Sequence, residues 1–332
     1  MNGRLRRGDV VEVKRPDEIL ATLDDRGSLD GLPFMPEMIG ACGRRFTVER
    51  RTERLCDTVT YTGTRRMADG VLLEDLRCDG SAHGGCQAEC RILWKEAWVS
   101  KVDPGQPAPP PVTPAEADAL RRRIAARTQI GGGSDGAAQR WRCQATELPR
   151  CTSHVPLWSP LGYARELTSG NVRFGRFARV MSRAVVKEPM RKFGLLDEVH
   201  FRGTAKKGEV FPALDLQPGE WVRVKSPEEI VRTLNAEGRN RGLWFDREMV
   251  SFCGGTYRVR QRVRRFVNER DGSMVELSND AITLDGVVCS GDHSLRRWFC
   301  ARELYPFWRE CWLTRVESAT AAGTQRAGRS LG

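Results

Sequence analysis

At 332 residues the chain is long enough for about two domains. It contains no apolar run of about 18 residues, which excludes a membrane-spanning helix. Gly and Pro together, 33 and 17 residues, are too few for a collagenous or disordered chain. The net charge is +11, and residues 104–213 carry 18 basic against 9 acidic side chains, so this stretch alone holds +9.

Reading from the start, Arg4, Arg6 and Arg7 lead into Gly8-Asp9 rather than an apolar segment. The expectation is therefore a protein without a secretory signal, located in the cytoplasm. Val11 and Val13 alternate with Glu12 and Lys14, the period of a half-buried strand. Residues 17–23 predict a short helical turn with Ile19 and Leu23 on one face, closed by turn residues 24–27. Strands are expected over 46–50 and 71–74.

A cysteine-rich stretch follows: Cys78, His83, Cys86 and Cys90, with Cys42 expected to join from an earlier hairpin. Cys56 stands apart. Eleven cysteines without an export signal do not suggest a disulfide framework, and an odd number cannot all pair. Thiolate and imidazole donors at a tetrahedral site suit zinc, and an all-thiolate set suits an iron–sulfur cluster. Gly43, and Gly84-Gly85 before Cys86, are expected to aim backbone amides at the thiolates. Trp94, Glu96 and Trp98 close the segment. The tryptophans are expected in the core, and Glu96 is expected to pair with an arginine.

A Pro-rich linker (Pro104, Pro107, Pro109, Pro110, Pro111, Pro114) leads to a predicted helix over 113–126, then a glycine break over 131–136. Cys143, Cys151 and His154 could form a further site but are one ligand short. From 171 to 193, Arg173, Arg176, Arg179, Arg183, Lys187 and Arg191 recur at steps of three and four. Phe174, Phe177, Val180, Met181, Val185 and Met190 fall largely on another face, so a basic amphipathic helix is expected, its apolar face docked. The ridge is a candidate surface for an anionic partner: nucleic acid, a phosphorylated ligand or a membrane surface.

The last third repeats the first. At an offset of 211, residues 8–14 align with 219–225, Ile19 with Ile230, Phe34 with Phe245, Cys42 with Cys253 and Cys78 with Cys289. The offset then becomes 214, pairing Cys86 with Cys300, Trp94 with Trp308, Glu96 with Glu310 and Trp98 with Trp312. Val267 stands where the first copy has Cys56. A second ligand set is thus expected from Cys253, Cys289, His293 and Cys300.

The Gly-Asp-x-Val-x-Val opening resembles small SH3-like barrels. Cys78-Asp79-Gly80-Ser81-Ala82-His83-Gly84-Gly85-Cys86-Gln87 and Arg142-Cys143-Gln144-Ala145-Thr146-Glu147-Leu148 resemble an uncharacterised bacterial family with two such cysteine-containing modules. The resemblance brings no activity with it.

The expected fold is mainly β with a helical connector (α+β): an SH3-like cysteine module over 1–103, a Pro-rich and basic helical connector over 104–213, a second module over 214–317, and a disordered tail over 318–332. The expected function is metal binding, zinc or iron–sulfur at about one per module, in a binding or accessory role. A metal- or iron–sulfur-dependent biosynthetic enzyme and a nucleic-acid-binding protein are the alternatives, and turnover is left open.

Overall fold

The computed structural model describes residues 4–60, 63–103, 105–131, 139–193, 195, 201–206, 209–294 and 296–316. The tail expected over 318–332 and the glycine break beyond Gly131 lie outside the described residues. Strand and helix are present in similar shares, 27% and 23%, which makes the chain α+β rather than mainly β. Among the described residues no helix is long and apolar enough to cross a membrane. The chain packs as two units. One comprises 1–180, 265–275 and 290–303; the other comprises 181–264, 276–289 and 304–332. The division differs from the three-part sequence reading, because residues 104–180 join the first unit.

The first unit opens with β1 (Val10–Val13), α1 (Pro16–Leu20), β2 (Ser28–Leu29) and β3 (Leu32–Pro33), then a 3-10 turn over Pro36–Ala41. Next come β4 (Arg45–Arg51), β5 (Leu55–Cys56), β6 (Thr64–Arg66), β7 (Gly70–Arg77) and β8 (Arg91–Lys95). A 3-10 turn over Glu96–Trp98 leads to β9 (Val99–Lys101). The main sheet has the order β8-β7-β4-β1-β9. The alternation read from the sequence holds: Val11 and Val13 are fully buried under this sheet while Glu12 is not. Their neighbours are Ile19, Phe34, Met38, Val48, Leu72, Trp94 and Trp98. Phe34 meets both tryptophans edge-on, with ring centres 6.0 and 5.2 Å apart. The tryptophans are core residues, as expected.

The connector is part of this unit. α2 (Pro114–Ala125) begins at a capping box in which Thr113 and Glu116 satisfy each other's backbone donors. It lays Leu120 and Ile124 against α1 and the first 3-10 turn. After β10 (Gln129–Ile130) and β11 (Arg140–Trp141), residues 142–148 plug into the unit. Gln144 Oε1 accepts from Leu93 N at 2.8 Å, and Nε2 donates to Leu93 O at 2.9 Å and Pro33 O at 3.2 Å. α3 (Leu148–Cys151), β12 (Ser153–Val155), which extends a sheet of order β12-β6-β5, and α4 (Pro160–Thr168) complete it.

α5 (Phe174–Lys192) is the predicted basic helix. Its buried residues, Val180, Ala184 and Glu188, form one stripe beside the basic positions, and Arg176 pairs with Asp292 at 2.8 Å. Phe174, Val185, Val186 and Met190 are exposed, whereas Val180 is buried and Phe177 stacks on Phe299 with ring centres 5.5 Å apart and meets Tyr163 edge-on at 5.9 Å, so the apolar face is docked in part. Arg173, Arg179, Arg183 and Lys187 are exposed as well, and the Arg191 side chain lies outside the described residues.

The second unit runs β13 (Trp221–Val224), α6 (Pro227–Val231), β14 (Arg239–Asn240), β15 (Leu243–Trp244), α7 (Arg247–Val250), β16 (Thr256–Val267) and β17 (Met274–Leu284), both without their 265–275 ends, which belong to the first unit, then a 3-10 turn Glu310–Trp312 and β18 (Leu313–Arg315). Its sheet has the order β17-β16-β13-β18. Its core is Val222, Val224, Ile230, Phe245, Ile282, Trp308 and Trp312. Trp312 Nε1 donates to Thr233 Oγ1 at 2.8 Å, and in the first unit Trp98 Nε1 donates to Thr22 Oγ1 at 3.0 Å. Glu96 pairs with Arg51, and Glu310 with Arg262 at 3.1 Å, as expected of them.

Candidate metal centre

The long loop between β7 and β8 is closed at its base by Cys78 N donating to Cys90 O at 2.9 Å. Inside it, His83 N and Gly85 N both donate to Gly80 O at 3.0 Å. Gly80 has φ +70°, and a Cβ there would lie 1.9 Å from Cys86 O, so only glycine permits the turn. This winding turns Cys78, His83, Cys86 and Cys90 toward one cavity. Cys143, from the plugged connector, lines the same cavity, together with Met35, Leu93, Leu148, Val267 and Arg302.

One wall carries a buried polar cluster. His83 Nδ1 lies 2.7 Å from Glu37 Oε1, and its Nε2 lies 3.2 Å from Arg142 O. Glu37 Oε1 also accepts from Ala82 N at 3.1 Å and sits 3.7 Å from Cys78 Sγ. Glu37, Cys78 and His83 are the one group among the described residues whose metal-ligating atoms all lie within 4.8 Å of one another. Glu37 Oε2 is buried and makes no hydrogen bond. Burial pushes the Glu37 carboxyl up, but the His83 hydrogen bond and charge outweigh it, so the group sits below its usual range. Both His83 nitrogens already face oxygen acceptors, which suits a residue that orients its neighbours more than one that binds an ion directly.

The thiols carry the opposite perturbation. Burial, and then the Glu37 charge, push Cys78 far up, and burial with Glu269 does the same to Cys90. Burial raises Cys143 to about 11. The negative charge of a Cys78 or Cys86 thiolate would be felt at Cys90 and Cys143, although among the described residues no three of these four sulfurs lie within 4.8 Å of one another. Such a set is costly to ionise alone and cheap to ionise around a cation.

Other sequence-derived candidates lie elsewhere. Cys42 is in the hydrophobic core, not in the cavity, with its thiol raised by burial to about 12. Gly43 N donates to Val13 O at 2.8 Å, and Gly254 N to Val224 O at 2.9 Å, so neither amide serves a thiolate. Cys253 packs on the second core, raised by burial to about 11. Cys289 belongs to the second unit, whereas His293, which is exposed, and Cys300 belong to the first. Cys151 is buried at the end of α3 and His154 is exposed on β12, so the structure does not gather them with Cys143.

Sequence spacing missed Cys143 because its route to the cavity depends on Gln144 bonding to β8, a contact 51 residues apart. It also missed that Cys56, at the end of β5, meets Cys300. Cys56 N donates to Cys300 Sγ at 3.0 Å. No family model matches the chain, and neither a curated protein nor a solved structure does.

Proposed function

We propose that this is a metal-binding protein that holds one zinc ion in its first unit on Cys78, Cys86, Cys90 and Cys143. The observation that supports this reading is that four thiols line one cavity, three from a single loop and one from a distant segment, and that one of them, Cys78, lies within 4.8 Å of Glu37 and His83; the ion would draw the other sulfurs in. Four thiolates suit a structural zinc site, in which no coordination position is left for a substrate. His83 and Glu37 would act around that set, the carboxylate balancing charge and the imidazole fixing the loop. Ion binding would tie the β7–β8 loop to the connector, so the role is binding or accessory rather than turnover. The same order of elements and the paired Trp–Thr hydrogen bonds support descent of the two halves from one small SH3-like module.

Elemental analysis of the purified full chain tests the reading. One zinc per chain and no visible absorption are expected, with intense visible bands on replacement by cobalt(II). A visible band accompanied by acid-labile sulfide would replace zinc by an iron–sulfur cluster. Absence of zinc, iron and sulfide after aerobic and anaerobic preparation would overturn the proposal.

A further inference from the structure

The pair Cys56 and Cys300 belongs to no part of the metal cavity. Both sulfurs are buried, at 7% and 2% exposure. Cys300 Sγ accepts from Cys56 N at 3.0 Å and from Arg302 N at 3.4 Å. Residues 300–302 run beside the end of the first unit's β5, with Ala301 N donating to Arg54 O at 2.9 Å. Arg302 donates to Cys56 O at 3.3 Å and to Thr58 Oγ1 at 2.8 Å, and is held by Glu269.

The repeat register explains how this contact arises. Val267 N donates to Cys86 Sγ at 3.3 Å, and Gln87 N donates to Arg265 O at 3.1 Å. Those four residues correspond to Cys56, Cys300, Ala301 and Arg54 at the offsets of 211 and 214. The same backbone contact is therefore made twice within the first unit. At one place the strand residue is a valine; at the other it is a cysteine, which adds a second sulfur beside the first.

We propose that Cys56 and Cys300 are a modification site, a dithiol that hydrogen peroxide oxidises to a disulfide joining β5 to the 290–303 segment. The ionised sulfur of the pair attacks one peroxide oxygen. The O–O bond breaks and hydroxide leaves, taking a proton to become water. The resulting sulfenic acid is attacked by the second sulfur, the S–S bond forms, the S–O bond breaks, and a second water leaves with the remaining thiol proton. One peroxide is reduced and two thiols are oxidised.

The local chemistry favours this pair over other buried thiols. The Cys300 side chain, and then the Arg302 charge, pull Cys56 below the ordinary thiol range against the effect of burial. Cys42 and Cys151 are comparably buried, at 4% and 8% exposure, but are raised to about 12 and 11. They are internal controls for access. The thiolate is the reacting form, so the pair should react at least ~10-fold faster than either control.

The test is peroxide treatment of the zinc-loaded full chain, then unfolding, alkylation of remaining thiols and peptide mapping. The expected result is a Cys56–Cys300 cross-linked peptide, with both thiols lost at least ~10-fold faster than Cys42 and Cys151. Cys56→Ser and Cys300→Ser should each abolish the cross-link and leave the surviving cysteine as a sulfenic acid captured by dimedone. Loss at the rate of the controls, pairing of Cys56 with any other cysteine, or oxidation past the sulfenic stage without the cross-link would overturn the proposal. The wild-type mapping decides the matter even if a variant fails to fold.

Discussion

Replacing Cys143 with serine tests the metal centre at the ligand that lies farthest in sequence from the others. Burial raises Cys143 to about 11 and pushes Cys78 and Cys90 higher still, so all three are thiols at neutral pH. Zinc takes thiolates, and loading must therefore release at least three protons from these residues. Each released proton adds about 1.4 kcal/mol of binding free energy per pH unit, so the three together give a slope of about 4 kcal/mol per unit. The direction follows from the sign of the shift: higher pH removes the cost of deprotonation, and affinity rises. Cys143→Ser should release one proton fewer and lower the slope by about 1.4 kcal/mol per pH unit. The assay is calorimetric titration with zinc in buffers of different ionisation enthalpy, which counts protons, supported by competition with a chelator from pH 6 to 8. An unchanged proton count and slope in Cys143→Ser would show that this thiol is not a ligand, whatever happens to affinity.

Gly80→Ala should abolish zinc binding, because its Cβ would meet Cys86 O at 1.9 Å. Gly105→Ala, also at positive φ but with nothing within 4 Å, should keep full zinc content and lose only about 1–2 kcal/mol of stability. Equal zinc loss in both would refute the loop geometry. Burial raises Glu166 to about 7, against about 4.3 for an unfolded glutamate. The folded state therefore holds a proton that the unfolded state lacks. Its stabilising effect is complete below about pH 4.3 and is lost as pH rises through about 7, a total fall of roughly 4 kcal/mol. Glu166→Gln should flatten that fall in urea unfolding measured at pH 5 and pH 8, and a steeper fall would contradict the burial argument. Trp98→Phe and Trp312→Phe each remove one indole bond to a threonine, at 3.0 and 2.8 Å, and some core volume. Each should cost about 1–4 kcal/mol in thermal or chemical unfolding, and a large cost in one with none in the other would count against equivalent frameworks.

Much of the framework was legible because it is local. The Val11/Val13 alternation, the short helical turn expected over 17–23 and the helix expected over 113–126 act within a few residues, and they appear as β1, α1 (Pro16–Leu20) and α2 (Pro114–Ala125). Most of the candidate site was legible for the same reason, since Cys78, His83, Cys86 and Cys90 share one loop, whereas Glu37 and Cys143 reach it from elsewhere. What failed was the inference that a repeated cysteine must be a ligand. Cys42 and Cys253 recur because both positions belong to a hydrophobic core, where a thiol behaves as a small apolar group. The basic helix was legible in part: Phe177 and Val180 of its apolar face pack, while Phe174, Val185 and Met190 are exposed, because periodicity separates two faces without saying how much of one is covered.

The departures from the repeat say more about chemistry than the repeat does. Cys143 has no counterpart at either offset, and neither does Cys56, yet the structure brings each to a cysteine that does recur. The recurring residues, Cys86 and Cys300, accept a backbone amide in the same way at 3.3 and 3.0 Å, so the duplicated contact supplies a polarised sulfur twice. What surrounds that sulfur then differs. Around Cys86 are further thiols and the Glu37–His83 pair, a set suited to a soft divalent ion. Around Cys300 is one thiol, and the Arg302 guanidinium, which lines the Cys86 cavity as well, favours a thiolate at Cys56. On the two proposals above, the same backbone arrangement would present one sulfur for coordination and the other for thiol oxidation. Zinc content should follow the first set of cysteines and peroxide sensitivity the second, each unaffected by loss of the other.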